Sequence, residues 1–382
     1  MKNKGVNTTR KSRPRVLVYA YLYVNLGDDL LVRILTERYP DVDFYLFTST
    51  DYGRIVDRPN LHLIRRNRLN RIFAAHLPYQ YRCYKFDAVV YIGGSIFMER
   101  GESGMCTTTR NLRLLRKAFP KLPLHIVGCN YGPEQTPQFR REVESVLGFV
   151  ESVCMRDTYS YNLFASNPVV SCAPDVVFNL GPSTAVQKGK SGEHVDNSQK
   201  GEKVAVALSV IDLATRPMLD RYTARYEEMM AQIVRRYVAQ GTSVRLLSFC
   251  SAEGDVAACE RIVAMLGEEC GTKVEVARYE GDIDQFLATI RSSSVLYATR
   301  FHATILGALF GIPTIPIIYS DKTQHVLDDI GWLGDTLDLR NPCTDIEELQ
   351  PHRLDEGTLA RLRTEAAGQF ASLDKMFEQC PK

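Results

Sequence analysis

Short apolar, β-branched runs alternate along this chain with segments whose apolar residues recur every three or four positions. Residues 16–24, 42–47, 88–92 and 124–129 are such runs in the first half, with a helix-period stretch over 28–38 between the first two. The second half repeats the scheme at 204–210, 244–249, 274–277, 295–298 and 314–319. Runs alternating with helices in this way predict βαβ units on parallel sheets. Leu219, Tyr222, Tyr226, Met229, Met230, Ile233, Val234 and Tyr237 then predict an amphipathic helix that stops before Gly241.

The fold class expected is α/β, with two Rossmann-like doubly wound domains at 16–180 and 204–340 facing across a cleft. Residues 181–203 show no periodicity and almost no large apolar residue, the composition of a linker or disordered insertion. Residues 341–382 should form helices packed on the outside of one or both domains. Paired sheets of this kind place ligands between them, at the carboxyl ends of the strands.

Composition narrows the function classes. The 382 residues include 47 Lys and Arg against 45 Asp and Glu, a net charge of +2, so nucleic acid is not expected as a partner and any basic site must be local. No apolar run is long enough to span a bilayer. Residues 1–15 carry Lys2, Lys4, Arg10, Lys11, Arg13 and Arg15 without an acid, and read as a basic flexible tail rather than a signal peptide. The ten cysteines never fall in C-x-x-C spacing and mostly sit in apolar segments, which suggests buried thiols in a reducing, cytoplasmic setting. No metal is expected, although Asp28 with Asp29 is the pair that would hold Mg²⁺.

Candidate chemistry follows strand ends. Asn25-Leu-Gly27-Asp28-Asp29 succeeds the first run; it reads either as a helix cap or as a loop with Asn25 and Asp28 beside a substrate. Gly93-Gly94-Ser95 follows 88–92, and Gly128-Cys129-Asn130 follows the next run; glycines there allow close approach of a ligand or another segment. Neither fits G-x-G-x-x-G or the P-loop pattern. Arg156-Asp157 follows 152–155, where the guanidinium can hold phosphate or carboxylate, or pair internally with Asp157 or Asp175. Asp175 can support Arg156, act on a hydroxyl, or cap a turn. Arg300 and His302 fall at a strand-to-helix junction, and Lys322 follows the neighbouring strand. Three potential cations converging there call for an anion or for paired acids.

These segments together resemble the polysaccharide pyruvyltransferase family. The resemblance rests on N-x-G-D-[DE] (Asn25, Gly27, Asp28, Asp29), the Gly93-Gly94 turn, R-D-x-x-S (Arg156, Asp157, Ser160), P-D-x-x-F (Pro174, Asp175, Phe178), and R-x-H followed by G-x-P and Y-x-x-K (Arg300, His302, Gly311, Pro313, Tyr319, Lys322). They occur in order from residue 19 to about 332. Ser95 stands where a third glycine is common, and Ala308 lies one place beyond the pattern's alanine. The resemblance implies a GT-B-like fold and transfer of a pyruvyl group from phosphoenolpyruvate to two hydroxyls of one sugar, forming a cyclic ketal and releasing phosphate. It associates Arg156, Arg300 and His302 with the donor.

The residues suit that chemistry. Two guanidinium forks, Lys322 and the Gly93-Gly94 turn match a small ligand bearing phosphate and carboxylate. His302 is the candidate general acid, its pKa held near or above ~6.5 by a bound anion. Asp28 or Asp175 would be the base. The acceptor side is assigned to Asn25, Asp29, Arg68 and Arg71, the last two from a segment over 65–82 with five arginines and no acid. That segment suits an anionic bilayer, a lipid diphosphate, or simply solvent; the first reading puts peripheral contact at the inner membrane face, and the resemblance implies acceptors that are often lipid-linked. No cofactor is expected beyond phosphoenolpyruvate as co-substrate. The alternatives are a nucleotide-sugar glycosyltransferase on the same fold and a non-catalytic phosphosugar or lipid-diphosphate binder.

Overall fold

The computed structural model describes residues 13–48, 52–65, 84–99, 106–181, 206–216, 218–270, 272–341 and 346–379. The basic segment with Arg68 and Arg71, nearly all of the linker, and most of the basic tail lie outside them.

The first sheet has seven strands, β1 (Arg15–Tyr19), β2 (Asp43–Thr48), β3 (Leu61–Arg65), β4 (Ala88–Ile92), β5 (Leu124–Cys129), β6 (Ser152–Met155) and β7 (Val170–Cys172), in the order β3-β2-β1-β4-β5-β6-β7. The second has six, β8 (Val206–Val210), β9 (Val244–Ser248), β10 (Val274–Arg278), β11 (Val295–Ala298), β12 (Thr314–Ile318) and β13 (Leu337–Asp338), ordered β10-β9-β8-β11-β12-β13. Every strand pair is parallel. The order reverses between β1 and β4 in one sheet and between β8 and β11 in the other. In open parallel sheets such reversals leave crevices at the strands' carboxyl ends.

Helices cover both sheets: α1 (Leu26–Arg38), α2 (Thr107–Ala118), α3 (Pro137–Leu147) and α4 (Thr158–Phe164) in the first domain, then α5 (Thr223–Ala239), α6 (Asp255–Ala264), α7 (Ile283–Arg291), α8 (Phe301–Leu309) and α9 (Asp321–Asp329) in the second. The tail forms α10 (Glu356–Ala366) and α11 (Ala371–Gln379). The expected first strand over 16–24 is too long. Pairing with β2 and β4 stops by Tyr19, and residues 20–24 leave the sheet as a loop.

The domains share a core. One apolar cluster runs from Val16, Leu30 and Leu46 through Phe249, Phe286 and Leu306 to Phe370 and Leu373. Polar contacts reinforce it: the Leu26 amide donates to Phe249 O at 3.2 Å, and Arg33 pairs with Asp284 at 2.8 Å. The tail crosses back to the first domain. There Gln369 accepts the Gly128 amide at 2.9 Å and donates to Met155 O and Ala173 O at 3.1 and 2.6 Å. One amide side chain thus satisfies backbone groups at strand ends that burial would otherwise orphan.

Candidate active site

Asn25 sets the first wall. Its side chain accepts the Gly27 amide at 3.1 Å, which caps α1, and donates to Glu253 Oε1 of the second domain at 3.3 Å. Both the capping and the cleft readings of this turn therefore apply to Asn25. Gly27 is the point of closest approach: a Cβ there would lie 1.9 Å from His302 Nδ1, so only glycine lets the imidazole seat against α1. Asp28 faces the same space, its pKa pushed up to about 7 by burial, Glu253 and Asp29, against the pull of Arg156 and Lys322. Asp29 points elsewhere. It is wholly buried and accepts hydroxyls from Tyr52 at 2.7 Å and from Tyr279 of the second domain at 2.9 Å. The acceptor role expected for Asp29 is corrected to a link between domains. Successive helix positions diverge by about 100°, so Asp28 and Asp29 serve different faces.

Arg156 lies in the wall beside β6. Its Nη1 donates to Asp175 Oδ2 at 2.9 Å, and Nε and Nη2 share Asn130 Oδ1 at 3.2 and 2.7 Å. The Phe301 ring covers it, with the centroid 3.9 Å away. A Cβ on Gly94 would meet Nη1 at 2.4 Å, so Gly94 makes room for a side chain rather than a ligand. Gly93 gives its amide to Val127 O at 3.2 Å, continuing the sheet edge. Of the internal partners foreseen for Arg156, Asp175 is the one used, while Asp157 caps α4 through the Ser160 amide at 2.7 Å. Asp175 also caps a short turn, accepting the Val177 amide at 2.8 Å.

Arg300 requires a larger correction. Its Nε donates to Asp255 Oδ2 at 3.0 Å, its Nη1 to Glu253 Oε2 at 2.6 Å, and its Nη2 to Asp255 Oδ1. Two carboxylates therefore already neutralise a guanidinium expected to be open to a ligand. The reason is energetic: an unpaired guanidinium buried this deeply would cost several kcal/mol, about what desolvating one ion costs. Glu253 also receives Arg216 at 2.6 Å; the two arginines overcome burial and hold its pKa down at about 2.

The His302 side chain is 13% exposed, its Nε2 4.0 Å from Asp175 Oδ1 and without a hydrogen-bond partner among the described residues. Burial pushes its pKa down to about 3; the Asp175 charge opposes this, and Arg156, Lys322 and Arg300 add to it. The ring is thus neutral in the free protein, against the value near or above ~6.5 expected with an anion bound, and its approach to Asp175 is not an ion pair. Lys322 begins α9 and donates from Nζ to Ser95 Oγ, 5.0 Å from the Phe301 centroid. Burial, then the neighbouring cations Arg156 and Arg216, lower its pKa to about 7 despite Asp28 and Asp157.

The structure thus brings Asp28, Arg156, Asp175, His302 and Lys322 to one junction of the two switch points. Sequence reasoning missed Glu253, Asp255 and Phe301. The first two follow β9, and reading Ser251-Ala-Glu-Gly-Asp255 as another strand-end segment would have found them. Among the described residues no group of three or more His, Cys, Asp or Glu is placed to hold a metal ion. No helix among them is long and apolar enough to cross a membrane.

The fold has known counterparts. The UDP-N-acetylglucosamine 2-epimerase candidate of Listeria monocytogenes superposes with a TM-score of 0.60 at 12% identity, covering 97% of this chain and 98% of that one. Anabaena HepE in complex with UDP and glucose gives 0.56 at 11%, covering 96% and 99%. These likenesses establish a GT-B-like architecture. In sequence, the amylovoran biosynthesis protein AmsJ of Erwinia amylovora is 24% identical over 263 residues, 65% of this chain. The chain spans about 60% of that relative's length. Residues 25–321, from the cap of α1 to the start of α9, match the polysaccharide pyruvyl transferase model, and the chain belongs to that family.

Proposed function

We propose that this protein moves a pyruvyl group from phosphoenolpyruvate to two hydroxyls of one sugar in a polysaccharide or lipid-linked precursor, forming a cyclic ketal and releasing phosphate. The observation that carries the reading is the meeting at the cleft of His302, seated against Gly27, with Asp28 on the next helix position and Lys322 reaching Ser95; their surroundings push the pKa of Asp28 up and that of Lys322 down to about 7. General acid–base chemistry is most effective with groups poised near the working pH.

The bookkeeping assigns each group a step. A proton adds to the donor's CH₂ carbon, and the carbon bearing phosphate becomes electrophilic. One sugar hydroxyl attacks it and loses its proton; the C–O bond to phosphate breaks; the second hydroxyl closes the ketal, its proton leaving with the phosphate. Asp28, ionised above about pH 7, takes the hydroxyl proton. Lys322 neutralises donor charge, and the donor's arrival drives its pKa upward. The same negative charge opposes the desolvation and the neighbouring cations that together keep His302 neutral, so the imidazole gains a proton when the donor enters and can pass it to the vinyl carbon. Arg156 and Arg300 shape the pocket through their acids rather than serving as open forks, with Arg156 forming the wall under Phe301. No cofactor is needed beyond the donor, and the reaction belongs on the cytoplasmic side, with the membrane face as the place for a lipid-linked acceptor.

Incubation with phosphoenolpyruvate and a glycan panel tests the reading. Acceptor-dependent phosphate release is expected, falling roughly 10²–10⁴-fold in His302→Ala. Nucleoside diphosphate release from nucleotide sugars, with none from phosphoenolpyruvate, would select the glycosyltransferase alternative.

A further inference from the structure

The loop between β1 and α1 carries two tyrosines that the chemistry above does not use. Tyr21 and Tyr23 lie two residues apart, and their rings meet with centroids 4.6 Å apart at 36°. Tyr23 is 60% exposed, while Tyr159, another exposed aromatic, already stacks on His325. The loop is fastened to the second domain at the cleft: the Cys250 thiol donates to Tyr23 O at 3.7 Å, and Asn25 at the loop's end donates to Glu253 at 3.3 Å. Val24 next to it has φ 54, a left-handed conformation that a β-branched residue rarely adopts. Such strain persists only where surrounding contacts impose it, and it clusters at ligand clamps. Here the cap at Asn25 and the contacts to Cys250 and Glu253 impose it, and the outcome is an aromatic ring held outward at the cleft.

We propose that Tyr21 and Tyr23 form a stacking platform for a pyranose ring of the acceptor at the cleft mouth. The proposal deepens the pyruvyl-transfer reading and rests on it for the identity of the ligand as the acceptor. The axial C–H face of a sugar is apolar and weakly positive and matches the negative face of a phenol ring. A sugar lying on Tyr23 keeps its hydroxyl edge free for the polar groups alongside. Glu253 is ionised there, and Asn25, whose amide already reaches it, sits in the same turn as Asp28. An apolar ring face bordered by a carboxylate and an amide suits a sugar better than it suits phosphoenolpyruvate, which has no such face.

The test has a binding arm and a kinetic arm on the full chain. In saturation-transfer NMR with methyl glucoside, galactoside and mannoside, the platform predicts transfer concentrated on one face of at least one sugar. That signal should disappear in Tyr23→Ala and survive in Tyr23→Phe, which keeps the ring. In the phosphate-release assay, Tyr23→Ala should raise acceptor KM by roughly 3- to 10-fold, the range expected of one aromatic contact, with donor KM unchanged. Absence of transfer to all three sugars, or transfer and acceptor KM unaltered in Tyr23→Ala, overturns the platform. The binding arm needs no donor. Sugar contact through Tyr23 without any phosphate release would therefore refute pyruvyl transfer while leaving the platform standing.

Discussion

Replacing Gly27 by alanine separates the role of His302 from the stability of the fold. The new Cβ would sit 1.9 Å from Nδ1 and 2.4 Å from Cε1, and an ordinary contact begins near 3.4 Å, so the ring must retreat by about 1.5 Å. Misplacement of a reacting group by about 1 Å costs on the order of 10²-fold in rate, so kcat/KM should fall at least that far. Stability should change little. Alanine gains about 1 kcal/mol over glycine within a helix, and overpacking typically costs about 1–3 kcal/mol, leaving a small net change. The assay is phosphate release from phosphoenolpyruvate alongside thermal unfolding. The double variant Gly27→Ala/His302→Ala supplies the control, because the three atoms nearest the added methyl all belong to the imidazole that it removes, and the double should be no worse than His302→Ala alone. Wild-type kcat/KM in Gly27→Ala, or a full further loss in the double variant, would refute the reasoning.

Three further outcomes follow from the charges at the cleft. In the free enzyme kcat/KM should peak close to neutrality, because Asp28 must lose its proton and Lys322 must keep one, each near pH 7; Lys322→Arg should remove the alkaline limb of a pH–rate profile, and an unchanged limb would exclude Lys322 as its source. Arg300→Ala should lower stability by about 3–5 kcal/mol in urea unfolding, since it strands the buried Asp255, while Glu253 keeps Arg216. Unaltered stability with a raised donor KM would restore Arg300 to the donor. Asp29→Asn concerns a carboxyl whose pKa rises on folding to about 7, mainly through burial, so the native state binds the extra proton and stability declines as pH climbs from about 4 through 7. That decline should be shallower in Asp29→Asn, and an identical slope would show that Asp29 is not its source.

Much of the architecture was legible in the chain. Residues 88–92, 124–129 and 295–298 form strands over the expected bounds because buried parallel strands are written as continuous apolar runs. The first strand was overdrawn because residues 20–24 are apolar for another reason: they form the loop at the cleft, and nothing pairs with them. The short β7 and β13 went unread, since three and two residues give no periodicity to detect.

The division at the site has one physical cause. Sequence alone determined which residue types stand at strand ends, because backbone geometry and apolar period are local properties, and so Asp28, Arg156, His302 and Lys322 were visible as candidates. Only the tertiary structure decided what each faces. Glu253 and Asp255 neutralise Arg300 across about 45 residues of sequence, Asp175 neutralises Arg156, and Tyr279 captures Asp29 from 250 residues away. Charge and pKa depend on distance in space and on exclusion of water, and neither quantity is written along the chain.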